Sequence, residues 1–504
     1  MPEFTNKAMI STVSPEFLCG RLDIFSSVDA LTDENVVQEV NTALEFHNTN
    51  IISEDYLYWY RRGLQPILNR TKERNAFILS KVTVNHFEEV VTFKNGYFLQ
   101  QPSTYVSRRN GVQSKVDKLN EFVYRSGKYD ADNSVADWFH TVGKGVLYVE
   151  ETADNDIPFR SYALDPRCAF VVYSLRPGNR PVYAVNVVRS GDDVLVDVYT
   201  DTLIYRLKGG YMGEKTTGFP TFNTEAFILD KVERNPLGHI PIIEYRYNSV
   251  NEAAPESVIS IFDAINDIES NRCDGIAQFI QSIAVAVNCQ FDDDITADRI
   301  KQMGMIVLSS IGENKADFKL LTSELNQDQT QTLVDDLYET ALRIVCMPTT
   351  TKGGRSTADS GQAVIFRDGW EQAGASARNT EDLWNKSDSY YRTIVLDILA
   401  RRGLLKNLKP VDFELNFVRE ETANIQSKAQ SFQTLLSAGL HPELAAKKSG
   451  ISNDPVSDIK MSEKYLKMIW GDPDKVDEVE STTDGKGEAT IIEEDNNNGE
   501  DAVL

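Results

Sequence analysis

Residues 347–359 read Met347-Pro348-Thr349-Thr350-Thr351-Lys352-Gly353-Gly354-Arg355-Ser356-Thr357-Ala358-Asp359. A proline, three β-branched threonines and a double glycine all work against a helix over the first nine of these, so they read as a polar loop carrying two cations. Ser356 and Asp359 then fit S-x-x-D, the spacing at which a hydroxyl caps a helix start and an acidic side chain returns the bond. Beyond them Ala363, Phe366, Trp370, Ala373, Ala377, Trp384, Tyr391, Ile394, Val395 and Ile398 recur at helical spacing, without a proline, to the stop Arg401-Arg402-Gly403. The pattern predicts one helix from Ser356 to Arg402, about 45 residues long and far beyond the usual globular length. Gly361, Gly369 and Gly374 are its candidate bend points. A globule rarely needs so long a helix, whereas a spoke in a ring does.

On the other side of the loop, Leu333, Leu337, Ala341, Ile344 and Val345 predict a helix over about 324–346. A second helix is predicted over about 255–283, from Val258, Ile261, Phe262, Ile265, Ile268, Ile276, Phe279, Ile280 and Ile283. Pro255 suits its first turn and Glu256 its dipole, and it would run about 40 Å. Between the two lies a compact insert: strand-like 284–291, a short helix near 296–303, and strands at 305–308 and 317–321. The helices bracket this insert and can pair as antiparallel legs.

The first segment, to about Arg74, reads as helical. Val36, Val37, Val40 and Leu44 share one face, and a second helix is read from Ser53 to Arg70 with Pro66 as a kink or break. From Phe77 to Tyr247 short β-branched and aromatic runs alternate with turn residues, which reads as strands. Val90 to Phe93 before Lys94-Asn95-Gly96 is taken as a strand entering a hairpin turn. Runs at 145–150, 169–174, 182–188, 194–199 and 242–247 read as further strands, with 116–124 and 135–142 as short helices between them. Val411 to Val418 alternates as a strand; 421–436, 443–448 and 461–470 read as helices. The order of elements makes the fold class α+β. After Gly471 the chain is rich in Asp, Glu and Asn with few apolar residues, so that tail is expected to be disordered.

The 504 residues suffice for roughly three domains. The formal net charge is -24, which repels DNA phosphates at long range and is the reverse of the basic face of a sequence-specific duplex binder. Any contact with DNA must therefore use a local basic element, or a duct that DNA passes without sticking. Cys19, Cys168, Cys273, Cys289 and Cys346 are scattered and odd in number, which argues against a disulfide framework or a zinc site and fits folding in a reducing cytoplasm. Residues 1–6 lack the design of a signal peptide, and no apolar run is long enough to span a membrane.

Enzymatic constellations are sparse. Gly209 to Thr216 has glycines and Lys215 but not the phosphate-loop spacing. His47, His86, His140, His239 and His441 are far apart and read as surface or satisfied core residues. Gly354-Arg355-Ser356-Thr357-Ala358 half-resembles a nucleophile elbow, but an elbow needs a strand before it. Ser356 is better read as a helix cap, with an acidic hydrolase as the rival. Asp292-Asp293-Asp294 reads as a solvated turn, with a cation site as the alternative. No cofactor, metal or catalytic residue is expected.

The N-terminal part resembles the portal family of siphophages with Gram-positive hosts. Tyr60-x-x-Gly63-x-x-x-Ile67-Leu68 is similar to that family's Tyr-Tyr-x-Gly-x-x-x-Ile helix, with Arg61 in place of the second tyrosine. Asn75, Val84-Asn85, Val90-Val91, Lys94-x-Gly96-Tyr97, Pro102 and Asp165-Pro166 follow at the family's spacing, and the resemblance covers about residues 40–420. It implies a ring-forming portal fold with wing, stem, clip and crown. Residues 1–250 would be most of the wing, 251–283 and 324–346 the stem helices, 284–323 the clip and 347–355 the tunnel loop. The long kinked helix and strand at 356–419 would belong to the wing and 420–470 to the crown, with 471–504 the acidic tail. By the same resemblance Thr349, Thr350, Thr351, Lys352, Gly353, Gly354 and Arg355 line a DNA channel. The resemblance further implies a dodecameric ring at one capsid vertex of the virion, assembled in the bacterial cytoplasm. It implies as partners double-stranded DNA bound without regard to sequence, the terminase large subunit, a head-completion adaptor, and the major capsid and scaffolding proteins, with no membrane. A minor head protein, which forms no such ring, is the other virion reading.

Overall fold

The computed structural model describes residues 20–72, 78–109, 111–190, 193–209, 211–214, 220–223, 227–280, 283–287, 289–290, 309–310, 317–321, 327–349, 369–419 and 425–452, with 455, 458–462 and 465. Several expectations fall outside them: the short helix near 296–303, the strand at 305–308, Asp292 to Asp294, Thr350 to Asp359 and the tail after 471. The chain divides into two compact units, 1–431 and 432–504.

Helix α1, Val36–Arg61, organises the first unit. Its N-terminal half lays Val36, Val40 and Leu44 against a six-stranded sheet. That sheet has the order β1(Ile24–Ser26), β5(Ala169–Ser174), β6(Pro181–Ser190), β7(Asp193–Tyr199), β8(Leu203–Lys208), β11(Ile228–Arg234). β1 joins β5 in parallel and the other neighbours are antiparallel. Alternation decides which side chains meet the helix: Phe170 and Val172 of β5, Val185 and Val187 of β6, Val194, Val196 and Val198 of β7. The C-terminal half of α1 turns Tyr56, Leu57 and Tyr60 to a separate, helical core.

Two expectations for this region need correction. The segments read as one helix near Val36–Leu44 and another at Ser53–Arg70 are a single helix that ends at Arg61. Gly63, at φ +87, takes the left-handed conformation a helix cannot continue through, and Pro66–Asn69 is a short 3-10 turn. Secondly, Val90 to Gly96 is not a strand and hairpin. It lies in α2, His86–Phe98, started by the Asn85 side chain accepting from the Glu88 N–H, with Glu88 and Glu89 in the first turn. Phe87, Val90, Val91, Lys94 and Phe98 are its buried residues. This is a 3.6-residue period, and the helical core it enters outweighs the local turn preference of Asn95-Gly96. Arg61 ties α1 to both neighbours, pairing with Glu88 and, at 2.7 Å and 2.8 Å, with Asp137 and Thr141.

The rest of the unit adds β2(Thr104–Ser107), α3(Gln113–Arg125), α4(Lys128–Val142) and the antiparallel sheet β12(Ile242–Arg246)-β3(Lys144–Glu151)-β4(Phe159–Leu164). β9(Tyr211–Glu214) and β10(Pro220–Asn223) form a ribbon. Across the three-stranded sheet lies α7, Trp370–Arg401, whose Trp384 packs its ring against Tyr245, Phe98 and Phe139 at centroid distances of 4.2, 5.3 and 5.5 Å. The described helix is 32 residues long and is preceded by Gly369 at φ +83, so a single unbroken helix from Ser356 is ruled out: an α-helix needs negative φ at every position. β17(Phe413–Asn416) then returns to pair with β2. In the second unit, α8(Ile425–Ser437), which begins in the first, leads through Gly439 at φ +83 to α9(Pro442–Ser449), and residues 458–462 are helical.

Glu54 is buried on α1 with one carboxyl oxygen unmatched among the described residues. Burial pushes its acid up to about 8, with Lys144, Arg21 and Arg167 opposing and Asp165 adding to the rise. The folded protein holds this proton more tightly than the unfolded chain, so stability falls as pH rises from about 4.5 to about 8. Glu54→Gln is expected to be the more stable protein at pH 7, by about 2–3 kcal/mol, and the gap should shrink toward pH 4.5. Denaturant unfolding at several pH values checks this; a gap that does not move with pH would contradict it.

Candidate functional site

The site begins with two helices. α5, Ile259–Ile280, and α6, Gln327–Ile344, pack through Phe262, Ile265, Val334, Ala341 and Val345. They run antiparallel. Arg272 late in α5 bonds Gln331 early in α6 at 3.0 Å, while His86, its ring 5.7 Å from that of Phe262 near the start of α5, packs at a tilt with its ring 4.5 Å from that of Tyr338 late in α6. Between the helices the chain makes two antiparallel ribbons, β13(Ile283–Val287) with β16(Asp317–Leu321) and β14(Cys289–Gln290) with β15(Ser309–Ser310). The pair therefore carries a small β insert at the end away from the start of α5.

A polar ladder holds the segment after Lys72 along α5. Asn266, Ser270 and Asp274, four residues apart, share one face of the helix. Their side chains accept from the backbone N–H groups of Val84 at 2.7 Å, Val82 at 3.0 Å and Ser80 at 2.6 Å. The extended strap thus finds on α5 the acceptors a β-strand would find in a neighbour. Asp274 also pairs with Lys72 and, at 3.2 Å, with Arg70. The sequence of α5 and α6 holds eight acidic residues against Arg272 and Arg343, so the pair is a source of negative potential.

The loop leaves from the end of α6. Cys346 takes φ +53 and the Met347 N–H bonds back to the Leu342 carbonyl at 2.9 Å, a left-handed helix stop followed at once by Pro348. The chain re-enters at Gly369, where a Cβ would lie 4.0 Å from the Pro348 Cα. Pro348 and Gly369, twenty-one positions apart in the sequence, therefore meet in space. Thr349 is half-buried at the root. Thr350, Thr351, Lys352, Gly353, Gly354, Arg355, Ser356 and Asp359 lie outside the described residues.

The floor under this root comes from α2, the helix sequence reasoning misread. Phe93 and Tyr97 stack at 5.6 Å, and Trp370 packs against both at 6.1 and 6.0 Å. Arg419 lies over the Tyr97 ring at 5.4 Å and pairs with Glu381. Lys94, on the buried side of α2, bonds the Ser376 hydroxyl at 3.3 Å. Burial pushes its amine down to about 8, with Cys346 opposing. The signal for this floor was in the sequence: Asn85 as a cap, two acids behind it, and apolar residues at helical spacing.

Other candidate chemistry is spread out. His47 is buried, stacked on Phe170 at 4.2 Å, with Nε2 3.0 Å from the Arg167 carbonyl; burial lowers its pKa to about 3. His140 is buried with Nδ1 2.5 Å from the Asn95 side-chain oxygen. Among the described residues no three of His, Cys, Asp and Glu stand together as metal ligands, and no helix is long and apolar enough to cross a membrane.

Two antiparallel helices, the ribbons between them and the root at Pro348 and Gly369 are thus on the page. A family model described as phage portal protein, SPP1 Gp6-like, matches residues 46–469, through all of these. The chain belongs to that family. No individually curated protein matches it. The portal family is structural and non-enzymatic, a component of the tailed-phage virion serving genome packaging, and in general forms an oligomeric ring associated with capsid and terminase.

Within this portal protein, Lys94 gives the loop root a pH signature. Its amine loses its proton near pH 8 when folded and near 10.5 when unfolded, so the cost of the buried charge is full below pH 8 and is relieved as pH rises toward 10.5. Lys94→Met is expected to be more stable than the parent by about 2 kcal/mol at pH 7, the difference narrowing between pH 8 and 10.5 in thermal or denaturant unfolding.

Proposed function

We propose that twelve copies of this chain form the ring at one vertex of a tailed-phage capsid, on a phage of a Gram-positive host, and that double-stranded DNA passes through it during packaging and ejection. In this reading α5 and α6 are the stem and the ribbons between them the clip, where the terminase large subunit docks and a head-completion adaptor later replaces it. The sheets, α1 to α4 and α7 make the wing, the chain from about 420 to 470 the crown, and residues 347–355 the tunnel loop. Major capsid and scaffolding proteins surround the ring as it assembles.

The family match spanning the helix pair and the loop carries this reading. Physical chemistry supports it. A duct must guide a polyanion without gripping it, so an acidic wall is suitable and a few cations at the constriction limit the repulsion. Contacts of Lys352 and Arg355 with phosphates would carry no sequence information. Gly353 and Gly354 allow the loop to change shape as the duplex surface passes. The loop's coincident ends support the same reading, since a closed excursion can move without disturbing the helices it joins.

Negative-stain microscopy with native mass measurement is the first test, and rings of about a dozen subunits with an axial hole are expected. Particles without such a hole from virion-derived protein would favour a minor head protein instead. The second test is the double variant Lys352→Ala, Arg355→Ala in a packaging assay. Rings should form normally while packaged or retained DNA falls; unchanged packaging and retention would remove the two cations from the mechanism.

A further inference from the structure

The second unit carries an apolar groove of about 950 Å³ between α8, the start of α9 and the helical residues 458–462 with 465. Phe432, Leu436, Pro442, Ile459, Met461 and Tyr465 line it, and Met461 and Tyr465 are 67% and 70% exposed. The lining is almost wholly apolar, and a volume of this size takes a short segment rather than one side chain.

Charge and chain length point to the occupant. Residues 432–470 hold five lysines against four acidic residues, so this part of an otherwise acidic protein is slightly positive. Residues 471–504 hold twelve acidic residues against two lysines. Inside that acidic stretch stands one β-branched apolar pair, Ile491-Ile492, behind Ala489-Thr490 and before Glu493-Glu494-Asp495. Twenty-five residues separate Tyr465, at the groove's edge, from Ile491. A linker of that length spans about 25–30 Å by random-coil scaling, enough to reach the groove, and tethering of this kind gives an effective concentration on the order of millimolar.

We propose that the groove is the docking site of the chain's own C-terminal segment. Ile491 and Ile492 seat among Phe432, Leu436, Met461 and Tyr465, and the flanking acids meet the net positive charge of residues 432–470. The segment covers an adhesive apolar surface, and a partner bearing a similar acidic and apolar motif would have to displace it. This does not depend on the ring: the groove and the tail are present in one copy of the chain.

The test places the photo-crosslinking amino acid p-benzoylphenylalanine at Met461 in the full-length protein and maps the product by mass spectrometry. The expected product joins position 461 to the peptide containing Ile491-Ile492, and Ile491→Asp with Ile492→Asp should lower its yield at least about tenfold. Amide exchange at residues 458–465 should quicken in the same double variant by a similar factor. Mixing isotope-labelled and unlabelled protein shows whether the segment comes from the same copy or a neighbour, both of which support the docking. Crosslinks to residues 466–470 only, to the 432–465 region of a second copy only, or a yield unmoved by the double variant would overturn it.

Discussion

The interaction on which the first unit depends is the burial of Arg167 beside Asp55. The guanidinium sits 2.7 Å from the Asp55 carboxylate, which is fully buried, and 2.7 Å from Asp165. Its flat face lies 4.1 Å from the Tyr58 ring and 5.3 Å from that of Trp138, while its carbonyl meets His47. One side chain thereby fixes the entry to β5 against the middle of α1 and the face of α4. Asp55 and Asp165 keep the guanidinium charged against the effect of burial. Removing one partner of such a pair strands a charge in the interior and typically costs about 3–5 kcal/mol.

From that junction the two halves of α1 serve different ends. The first half completes the sheet core. The second half joins α2, α5 and α6 in a core of helices, and Tyr60 donates to Asp263 of α5 at 2.8 Å. The acidic helix pair is therefore anchored in the body through α1, and α2 supplies both a wall of that anchor and the floor of the loop root. The buried pair Arg21–Glu256 adds a second tie, from the segment before β1 to the turn that starts α5. The helix pair is thus rooted in the body at several points, and the two ends of the segment that follows it, Pro348 and Gly369, meet on the same floor.

The coarse layout was legible in the sequence. Apolar residues at 3.6 spacing located α5 and α6, and alternation located β3 and β5 to β7. Less legible were positions where two local rules compete. Asn95-Gly96 is a turn pair by local chemistry, yet in α2 Asn95 bonds Asp137 at 2.7 Å and His140, partners more than forty residues away that no local window contains. Gly369 was read as a bend, but its left-handed φ makes it the residue before a new helix.

The sequence by itself determined the order and type of most elements, the acidic balance, and membership in the portal family, because periodicity, charge and motif spacing are local properties of the chain. Only the tertiary structure decided which charges are buried and where the loop's ends meet. Glu54 owes its high pKa to the burial of its stretch of α1, and Lys94 meets Ser376 from 282 residues away. Pro348 and Gly369 come together because α6 and α7 are each packed into the body independently. Such facts depend on which distant surfaces exclude water from a residue, and a one-dimensional pattern does not record that.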